Sequence, residues 1–290
     1  MNAIVTDIAV LPEQATSHAR QIVYRTKGKR QEWITRLASP SGIGEKIKPF
    51  VFLDDFDIRS SGEPFSGMHP HSGIATITVV QSGNMEYRDT TGKSGTLSAG
   101  SVEWMKAGGG VWHGGGAAKD DHVRGYQLWI ALPPQDENGP AQSQYLAPEQ
   151  VQTHGPARVI LGRYGNAVSA IVTRASINYL HIKLKDGERW RYQTPEGHTV
   201  GWVATNAGTL HTAGVALQNE LAVFEESTAV LDFLAEGDTE FVLGSAVKHP
   251  HDLVLGYYSV HTDGYALERG ENEIERIRVQ LATDISLQFK

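Results

Sequence analysis

The chain has 290 residues, of which 40% are hydrophobic and 20% are charged, enough to bury the core of two average domains or of one large β domain. Its formal net charge is −7 and no run of basic residues appears. This excludes the clustered Lys and Arg that a nucleic-acid partner requires, but leaves a protein partner open. The absence of cysteine excludes disulfides and thiolate zinc sites, so any metal must have His, carboxylate, carbonyl or water ligands.

The N-terminal sequence MNAIVTDIAVLPEQ lacks a basic region and a long apolar core, so it does not predict a secretory signal peptide. No apolar run approaches the roughly 20 residues that a bilayer-spanning helix needs, so we predict no membrane partner. Together these features favour a cytoplasmic protein.

The first half of the chain contains short runs rich in β-branched and aromatic residues, separated by glycine. Residues 74–80, IATITVV, are followed by QSGN, a pattern typical of a β-hairpin. Similar runs follow in order: NMEYRD, GTLSAG, SVEWM and GYQLWIAL. Many short strands at this spacing predict an all-β sandwich or barrel. The intervening TGKSG fits no phosphate-loop pattern and is interpreted as a hairpin turn.

The second half repeats this style, with runs such as SINYLHIKL, HTVGWVAT and TEFVLGSAV. Polar, proline-bearing sequence between the halves predicts an interdomain connection. We therefore expect an N-terminal barrel over residues 1–135, a linker over 136–156 and a C-terminal barrel over 157–290. Near the end of the chain, apolar residues recur at helical spacing in LERGENEIERIRVQLATDI, which predicts a short amphipathic helix packed on a sheet.

The stretch that most indicates a metal site is HPH, which precedes a predicted strand. Residues two apart in a strand project to the same side, about 7 Å apart at the backbone, so His69 and His71 can direct two imidazoles toward one ion. Pro70 removes a backbone donor, which suits an edge strand. An HxH pair is weak by itself, because histidine is also a common polar surface residue. The following predicted strands return the chain to His113, and three imidazoles would form a catalytic-type site with open positions.

These residues carry a resemblance to a known family. The segment HPHSGIATITVVQSGNMEYRDTTGKSGTLSAGSVEWMKAGGGVWH resembles the pirin family of bicupins in its HPH pair, its glycine-punctuated hairpins, WMKAG and the final histidine. The likeness is strong over residues 60–130 and weaker over 240–280, where HPHDLVLGYYSVHTDGYALERGENEIERI is similar to the family's closing segment. The resemblance implies two cupin barrels (double-stranded β-helices, or jelly rolls) packed face to face, with one metal in the N-terminal barrel.

The family's metal is usually iron, held by three His and one Glu. The resemblance implies that His69, His71 and His113 are the three histidine ligands. Gly115 stands where the family has its ligating Glu, and Ala75 stands where it has another Glu. The missing carboxylate lowers affinity for a hard cation and puts metal occupancy in doubt, but a neutral three-His set can still bind iron, copper, nickel, manganese or zinc.

Four residues nearby in the sequence are candidate replacements for the missing ligand, although none has the family spacing: Glu103, Asp120, Asp121 and His122. Beyond the metal ligands, we predict no catalytic and no cofactor-binding residue.

The resemblance implies a metal-dependent dioxygenase acting on a flavonol-like (quercetin-type) or other small chelating substrate, as in quercetin 2,3-dioxygenase. The cupin carboxylate that deprotonates such a substrate is the one that Gly115 replaces. The sequence therefore leaves an alternative open: a non-catalytic pirin-type regulator or scaffold that acts through protein partners.

Other histidines and aromatic residues have simpler interpretations. A second HPH at residues 249–251 has no third histidine at a suitable spacing and is interpreted as a loop or surface feature. Trp104 and Met105 are expected in core packing, the commoner location of large apolar residues. Trp112 adjoins His113, and its role as core or as substrate wall stays open.

Overall fold

The computed structural model describes residues 20–60 and 67–283, so the N-terminal sequence inspected for a signal peptide lies outside the described residues. The strands of the first half are, in chain order, β1 (Ile22–Thr26), β2 (Lys29–Gln31), β3 (Ile34–Ala38), β4 (Phe50–Arg59), β5 (His69–His71), β6 (Ile74–Ser82), β7 (Asn84–Asp89), β8 (Ser94–Ser98), β9 (Val102–Lys106), β10 (Val111–Ala117), β11 (His122–Ala131) and β12 (Gln142–Leu146).

The strands of the second half are β13 (Thr153–His154), β14 (Ala157–Leu161), β15 (Arg163–Tyr164), β16 (Ala167–Val168), β17 (Ile177–Leu184), β18 (Arg189–Tyr192), β19 (Val200–Thr212), β20 (Val215–Leu217), β21 (Leu221–Phe224), β22 (Leu231–Ala246), β23 (Val254–Gly256) and β24 (Ser259–His261). The helical elements are α1 (Gly44–Ile47), a 3₁₀ turn at Pro148–Gln150 and α2 (Gly264–Thr283).

A seven-stranded and a four-stranded sheet form the N-terminal barrel, in the orders β12-β9-β6-β11-β4-β3-β2 and β5-β10-β7-β8. Strand β6 shows how the sequence orients this barrel. Its Ile77 and Val79 lie in the core between the barrels. Because side chains alternate along a strand, Thr76 and Thr78 face the barrel interior. The polar threonines therefore line the inside of the N-terminal barrel.

The C-terminal barrel is one nine-stranded sheet in the order β1-β21-β19-β22-β17-β14-β13, with β18 paired to β22 and β20 paired to β19. Its interior is a cluster of buried apolar side chains that includes Trp190, Phe233 and Phe241. This barrel is filled by its own hydrophobic core.

The outer face of the seven-stranded sheet packs on the nine-stranded sheet. Phe50 and Trp202 meet edge to face with ring centroids 5.3 Å apart. The hydroxyl of Tyr126 donates to the carbonyl oxygen of Ala204 at 3.3 Å. One continuous apolar cluster contains residues of both barrels. The expected all-β fold, with two cupin barrels packed face to face, is confirmed.

Strand pairing crosses the domain boundaries predicted from the sequence. Strand β1, near the start of the chain, pairs with β21 of the C-terminal barrel. Strand β12, within the stretch predicted as a linker, pairs with β9 of the N-terminal barrel. Each added strand covers the backbone groups of a sheet edge, which would otherwise lack partners.

The end of the described chain lies on the N-terminal barrel, not on the C-terminal one. We call residues 254–283, which contain β23, β24 and α2, the C-terminal cap. The indole N–H of Trp112 on β10 donates to the carbonyl oxygen of Ile274 at 2.8 Å. Asn138 donates to the carbonyl oxygen of Ala266 at 3.0 Å. The predicted helix is therefore confirmed as α2. Its last two predicted residues lie outside the described range, and it packs on the N-terminal barrel.

Candidate metal centre

The three predicted histidines come from two neighbouring antiparallel strands. Strand β10 pairs with β5 so that His113 lies opposite His69 and Val111 lies opposite His71. His69 and His71 share one side of β5, because they are two residues apart. Strand β5 ends the four-stranded sheet, and Pro70, which has no N–H to donate, suits that edge position.

This pairing brings the three imidazoles together. Their potential ligand nitrogens all lie within 4.8 Å of one another. The ring centroid of His69 is 4.4 Å from that of His113, and the centroid of His71 is 5.0 Å from each of the others. Three nitrogens bonded to one ion at about 2.1 Å lie roughly 3.0–3.6 Å apart, so the widest separation would have to close by about an ångström or more on metal binding. The arrangement predicted from the sequence is present.

The ring nitrogens of His71 and His113 show which atoms are available to a metal. Nδ1 of His71 donates to the carbonyl oxygen of Tyr258 at 3.0 Å. Nδ1 of His113 lies 3.5 Å from Oε1 of Glu103, whose Oε2 accepts from Thr78 at 2.5 Å. Both Nε2 atoms are buried and have no hydrogen-bond partner among the described residues. Metal-ligating histidines characteristically bind through one nitrogen and donate with the other, so this geometry fits a metal.

The electrostatics of the site favour neutral imidazoles. Burial lowers the pKa of His69 to about 3, with a smaller contribution from the neighbouring His113. Burial likewise holds the pKa of His71 well below its ordinary value, with His113 and His69 adding to the effect. Because metal coordination requires a neutral imidazole, both side chains are in the ligating form at neutral pH.

The site contains no anionic ligand within the part of the chain that the structure describes. Gly115 lies two residues beyond His113 on β10, and a Cβ there would lie 2.5 Å from the carbonyl oxygen of Glu86. The close approach of β7 therefore leaves no room for a side chain at this position without a backbone shift.

None of the four candidate replacements takes the place of the missing ligand. Glu103 is buried but lies on the Nδ1 side of His113, where it orients the ring. Asp121 accepts from Asn84, and His122 pairs with Asp57. Asp120 is exposed in a turn. The site therefore consists of three imidazoles, with the carboxylate of Glu103 behind the ring of His113.

Aromatic side chains close the site on the side of the seven-stranded sheet. Trp129 stacks on Phe52 with centroids 4.1 Å apart, and its ring lies 4.8 Å from that of His71. The ring of Tyr258 lies 5.6 Å from that of His69 and is 42% exposed, so it stands at the rim. Sequence reasoning missed all three aromatic residues. The alternation of side chains along β11 could have predicted that Trp129 faces the barrel interior. No local pattern predicts that Tyr258 lies beside residues so distant in the chain.

The remaining predicted residues lie elsewhere. Trp104 belongs to the core between the barrels, and Met105 is fully buried beside Val111, so both core-packing interpretations are confirmed. Trp112 anchors the C-terminal cap and does not line the site. The second HPH lies between β22 and β23, with its two rings 5.2 Å apart, and the described residues supply no third ligand there.

No helix among the described residues is both long and apolar enough to cross a membrane. A family model described as "Pirin" matches residues 31–130, which include the three histidines. A Pseudomonas aeruginosa protein named "Putative quercetin 2,3-dioxygenase PA2418" is 28% identical over 77% of this chain and 83% of its own length.

Solved structures share the fold. A crystal structure of quercetin 2,3-dioxygenase from Acinetobacter baumannii has a TM-score of 0.80 and 24% identity, covering 90% of this chain and 98% of that one. The bacterial pirin YhhW from Escherichia coli, in complex with nickel(II), has a TM-score of 0.63 and 18% identity, covering 79% and 98%. The chain is therefore similar to pirins and to proteins named as quercetin 2,3-dioxygenases, and the segment that matches the pirin model contains the histidine triad.

Proposed function

We propose that the chain binds one divalent transition metal through His69, His71 and His113, and that it is a metal-dependent dioxygenase for a flavonol-like or other small chelating substrate. The observation that carries this proposal is the convergence of three imidazoles, two of which have a buried Nε2 with no hydrogen-bond partner among the described residues. Iron is the metal that the family resemblance favours, and nickel is the metal bound by the related YhhW protein. Both accept imidazole ligands.

The protein's own groups would bind and orient the substrate. When bound, the metal would supply Lewis acidity and a template, together with redox capacity if it is iron or copper. The stacked Trp129 and Phe52 offer a flat apolar wall, and Tyr258 stands at the rim. A planar aromatic substrate matches these surfaces, because ring faces and edges pack favourably against one another.

The substrate's own acidity becomes important in a site without a carboxylate base. Glu103 faces Nδ1 of His113 and accepts from Thr78, so it is engaged on the outer side of the ring. Three neutral imidazoles leave the cation's charge unbalanced. A ligand that arrives as an oxygen anion therefore fits better than a neutral one. Flavonol-type hydroxyls, which ionise more readily than alcohols, belong to this class.

A second candidate function is a non-catalytic pirin-type regulator or scaffold acting through a protein partner. The absence of a carboxylate among the described residues of the cluster favours it, since general-base catalysis then lacks its usual group. The dioxygenase and a regulator share the metal site and differ in turnover, whereas a scaffold would need no metal.

The test combines metal analysis with oxygen uptake. Protein purified without chelators is assayed for bound metal, and oxygen consumption with quercetin is then followed for the wild type and for His69→Ala. The dioxygenase proposal expects about one metal per chain and uptake that His69→Ala abolishes. His251→Ala, from the second HPH, is the matched control and should retain both. Stoichiometric metal without uptake supports the regulator, and absence of metal contradicts the dioxygenase and the metal-dependent regulator and leaves only a scaffold.

A further inference from the structure

We propose that the C-terminal cap orients a ligand of the metal centre. The cap holds His71 as the tautomer that carries its proton on Nδ1, and His261 is the residue that positions the cap. The inference rests on the metal binding proposed above and extends it to a segment far away in the sequence.

The first contact joins the cap to His71, one of the three proposed metal ligands. Tyr258, at the tip of the β23–β24 hairpin, accepts from Nδ1 of His71 through its carbonyl oxygen at 3.0 Å. A backbone carbonyl can only accept, so Nδ1 carries the proton and Nε2 keeps its lone pair for a metal. Tyr258 has φ +53°, a left-handed conformation that is unfavourable for a bulky residue. The surrounding contacts must therefore hold this carbonyl in place.

A directional chain of hydrogen bonds supplies part of that support. Ser259 donates to the carbonyl oxygen of Tyr257 at 2.9 Å. Ser72, the residue after His71, donates to Ser259 at 2.8 Å. Each hydroxyl has one proton, so Ser72 must accept from Nε2 of His261, which lies 2.9 Å away. His261 thus begins a chain that ends at the residue before Tyr258.

The other side of His261 faces a buried carboxylate. Nδ1 of His261 lies 3.3 Å from Oε2 of Glu137 but forms no hydrogen bond within the described residues. Glu137 also accepts from the backbone N–H and the hydroxyl of Thr262, both at 2.7 Å. His261 and Glu137 are 1% and 2% exposed, so their contacts are sheltered from water. His261 therefore lies between Ser72, which follows the HPH strand, and the loop that follows β11.

Two glycines show that strand and cap are fitted closely. Gly73 follows the HPH strand with φ +72°, and a Cβ there would overlap the carbonyl oxygen of Val260. A Cβ on Gly270 of α2 would lie 2.5 Å from both Nε2 of His261 and Oγ of Ser72. Helix α2 therefore closes directly over the pair.

Ser72, His261 and Glu137 have the order of a nucleophilic triad, but the geometry favours a positioning role. All three side chains are buried, and Ser72 is 0% exposed, so no substrate carbonyl can reach it. The Ser72 proton is also committed to Ser259 and not to the imidazole. A nucleophile would need the opposite arrangement.

The first measurement reads the tautomer of His71 in metal-free protein by long-range ¹H–¹⁵N correlation of the imidazoles. The wild type should show a proton on Nδ1 of His71. His261→Phe should convert this signal into a mixture of tautomers. His198→Phe is the matched control, because His198 is another buried histidine bonded to serine hydroxyls, in the C-terminal barrel. It should leave His71 unchanged.

The second measurement is Co(II) affinity by chelator competition, together with the Co(II) absorption spectrum. Removal of an outer partner of a ligating histidine typically costs 10- to 100-fold in affinity, so His261→Phe should weaken binding by about that factor and change the spectrum. Gly270→Ala, whose methyl group would push into the Ser72–His261 pair, should act in the same direction. Gly264→Ala, in open space on the same helix, is its control.

The glycine variants separate positioning from stability. Alanine favours a helix over glycine by about 1 kcal/mol, so loss of affinity in Gly270→Ala cannot come from a weaker helix propensity. If His261→Phe and Gly270→Ala both keep the wild-type tautomer, affinity and spectrum, the inference is wrong. If the wild type binds no Co(II) but His261→Phe still releases the His71 tautomer, the cap's role stands and the proposed metal function fails.

Discussion

The two barrels share an architecture, but among the described residues only the N-terminal one brings three histidines together. In the C-terminal barrel, His198 has partners on both ring nitrogens, Ser176 at 2.8 Å and Ser245 at 2.9 Å, and the half-bonded His181, which pairs with Glu240, stands without histidine neighbours in a described cluster. In the N-terminal barrel, His71 and His113 each have a partner at Nδ1 and a buried Nε2 without one among the described residues. A fully bonded histidine stabilises a fold, whereas converging half-bonded histidines leave lone pairs for a ligand.

The interior of the C-terminal barrel is apolar, whereas that of the N-terminal barrel contains polar side chains. The C-terminal barrel is filled by rings, with Trp190 stacked on Phe233 at 5.6 Å and Phe233 lying 5.4 Å from Phe241. The N-terminal barrel instead directs Thr78, Glu103 and the histidines inward. One barrel is filled by packed rings, whereas the other has a polar interior with three converging histidines, although the fold alone does not distinguish them.

The largest stability effect should come from emptying the filled barrel. Trp190→Ala removes a stacked, 7% exposed ring, so we expect the free energy of unfolding to fall by about 3–5 kcal/mol. Urea denaturation measures this loss. Metal affinity of the folded variant should equal that of the wild type, and a comparable loss of affinity would show that the two barrels are not functionally separate.

Gly115→Glu tests whether the missing carboxylate can simply be restored. Because a Cβ at this position would lie 2.5 Å from the carbonyl oxygen of Glu86, we expect destabilisation by about 1–3 kcal/mol and no gain in metal affinity. Thermal unfolding and chelator competition measure the two effects. Gly264→Glu, in open space, should be near neutral for both. Tighter metal binding by Gly115→Glu would contradict the account of the donor set.

Glu103→Gln tests the outer carboxylate. It removes the charge facing Nδ1 of His113 while keeping the shape, so metal affinity should fall by about tenfold. Glu220→Gln is the matched control, because Glu220 is also a buried carboxylate and pairs with Arg25 at 2.7 Å, away from the histidines. Equal metal affinities for the two variants would remove Glu103 from the site.

The bonded histidine of the C-terminal barrel should appear in the pH dependence of stability. Burial lowers the pKa of His198 to about 4, whereas an unfolded histidine has a pKa of about 6.5. Between these values the unfolded chain binds the extra proton, so stability falls as the pH drops below 6.5 and is independent of this group above it.

A non-titrating variant isolates that contribution. His198→Gln should reduce the slope of unfolding free energy between pH 4 and pH 6.5 by at most about 1.4 kcal/mol per pH unit, the value for one proton. Urea denaturation across this range measures the slope. An unchanged slope would show that His198 is protonated in the folded barrel.

The local parts of the site could be predicted from the sequence. The HPH pair needs only the two-residue period of a strand, and glycine-punctuated hairpins return the chain to His113 by short-range steps. Glu103 was named as a neighbour, but its position behind the ring depends on the pairing of β6 with β9. The all-β fold followed from similar local patterns.

The long-range parts could not be predicted. Tyr258 reaches His71 across 187 positions, and His261 reaches Ser72 across 189. No periodicity specifies such pairs, because they depend on where the cap lies after both barrels have formed. The same reason applies to β1, which pairs with β21 of the other half of the chain. The division into residues 1–135, 136–156 and 157–290 therefore remains a prediction, and β1 and β12 pair with strands outside their own predicted segments.

The most direct test of the central claim is X-ray absorption at the metal edge of protein purified without chelators, combined with its metal content. The account predicts about one metal per chain with three imidazole nitrogens at about 2.0–2.2 Å, reduced in His113→Ala. Metal-free protein that also fails to take up added divalent metal, or a bound metal without imidazole ligands, would contradict it.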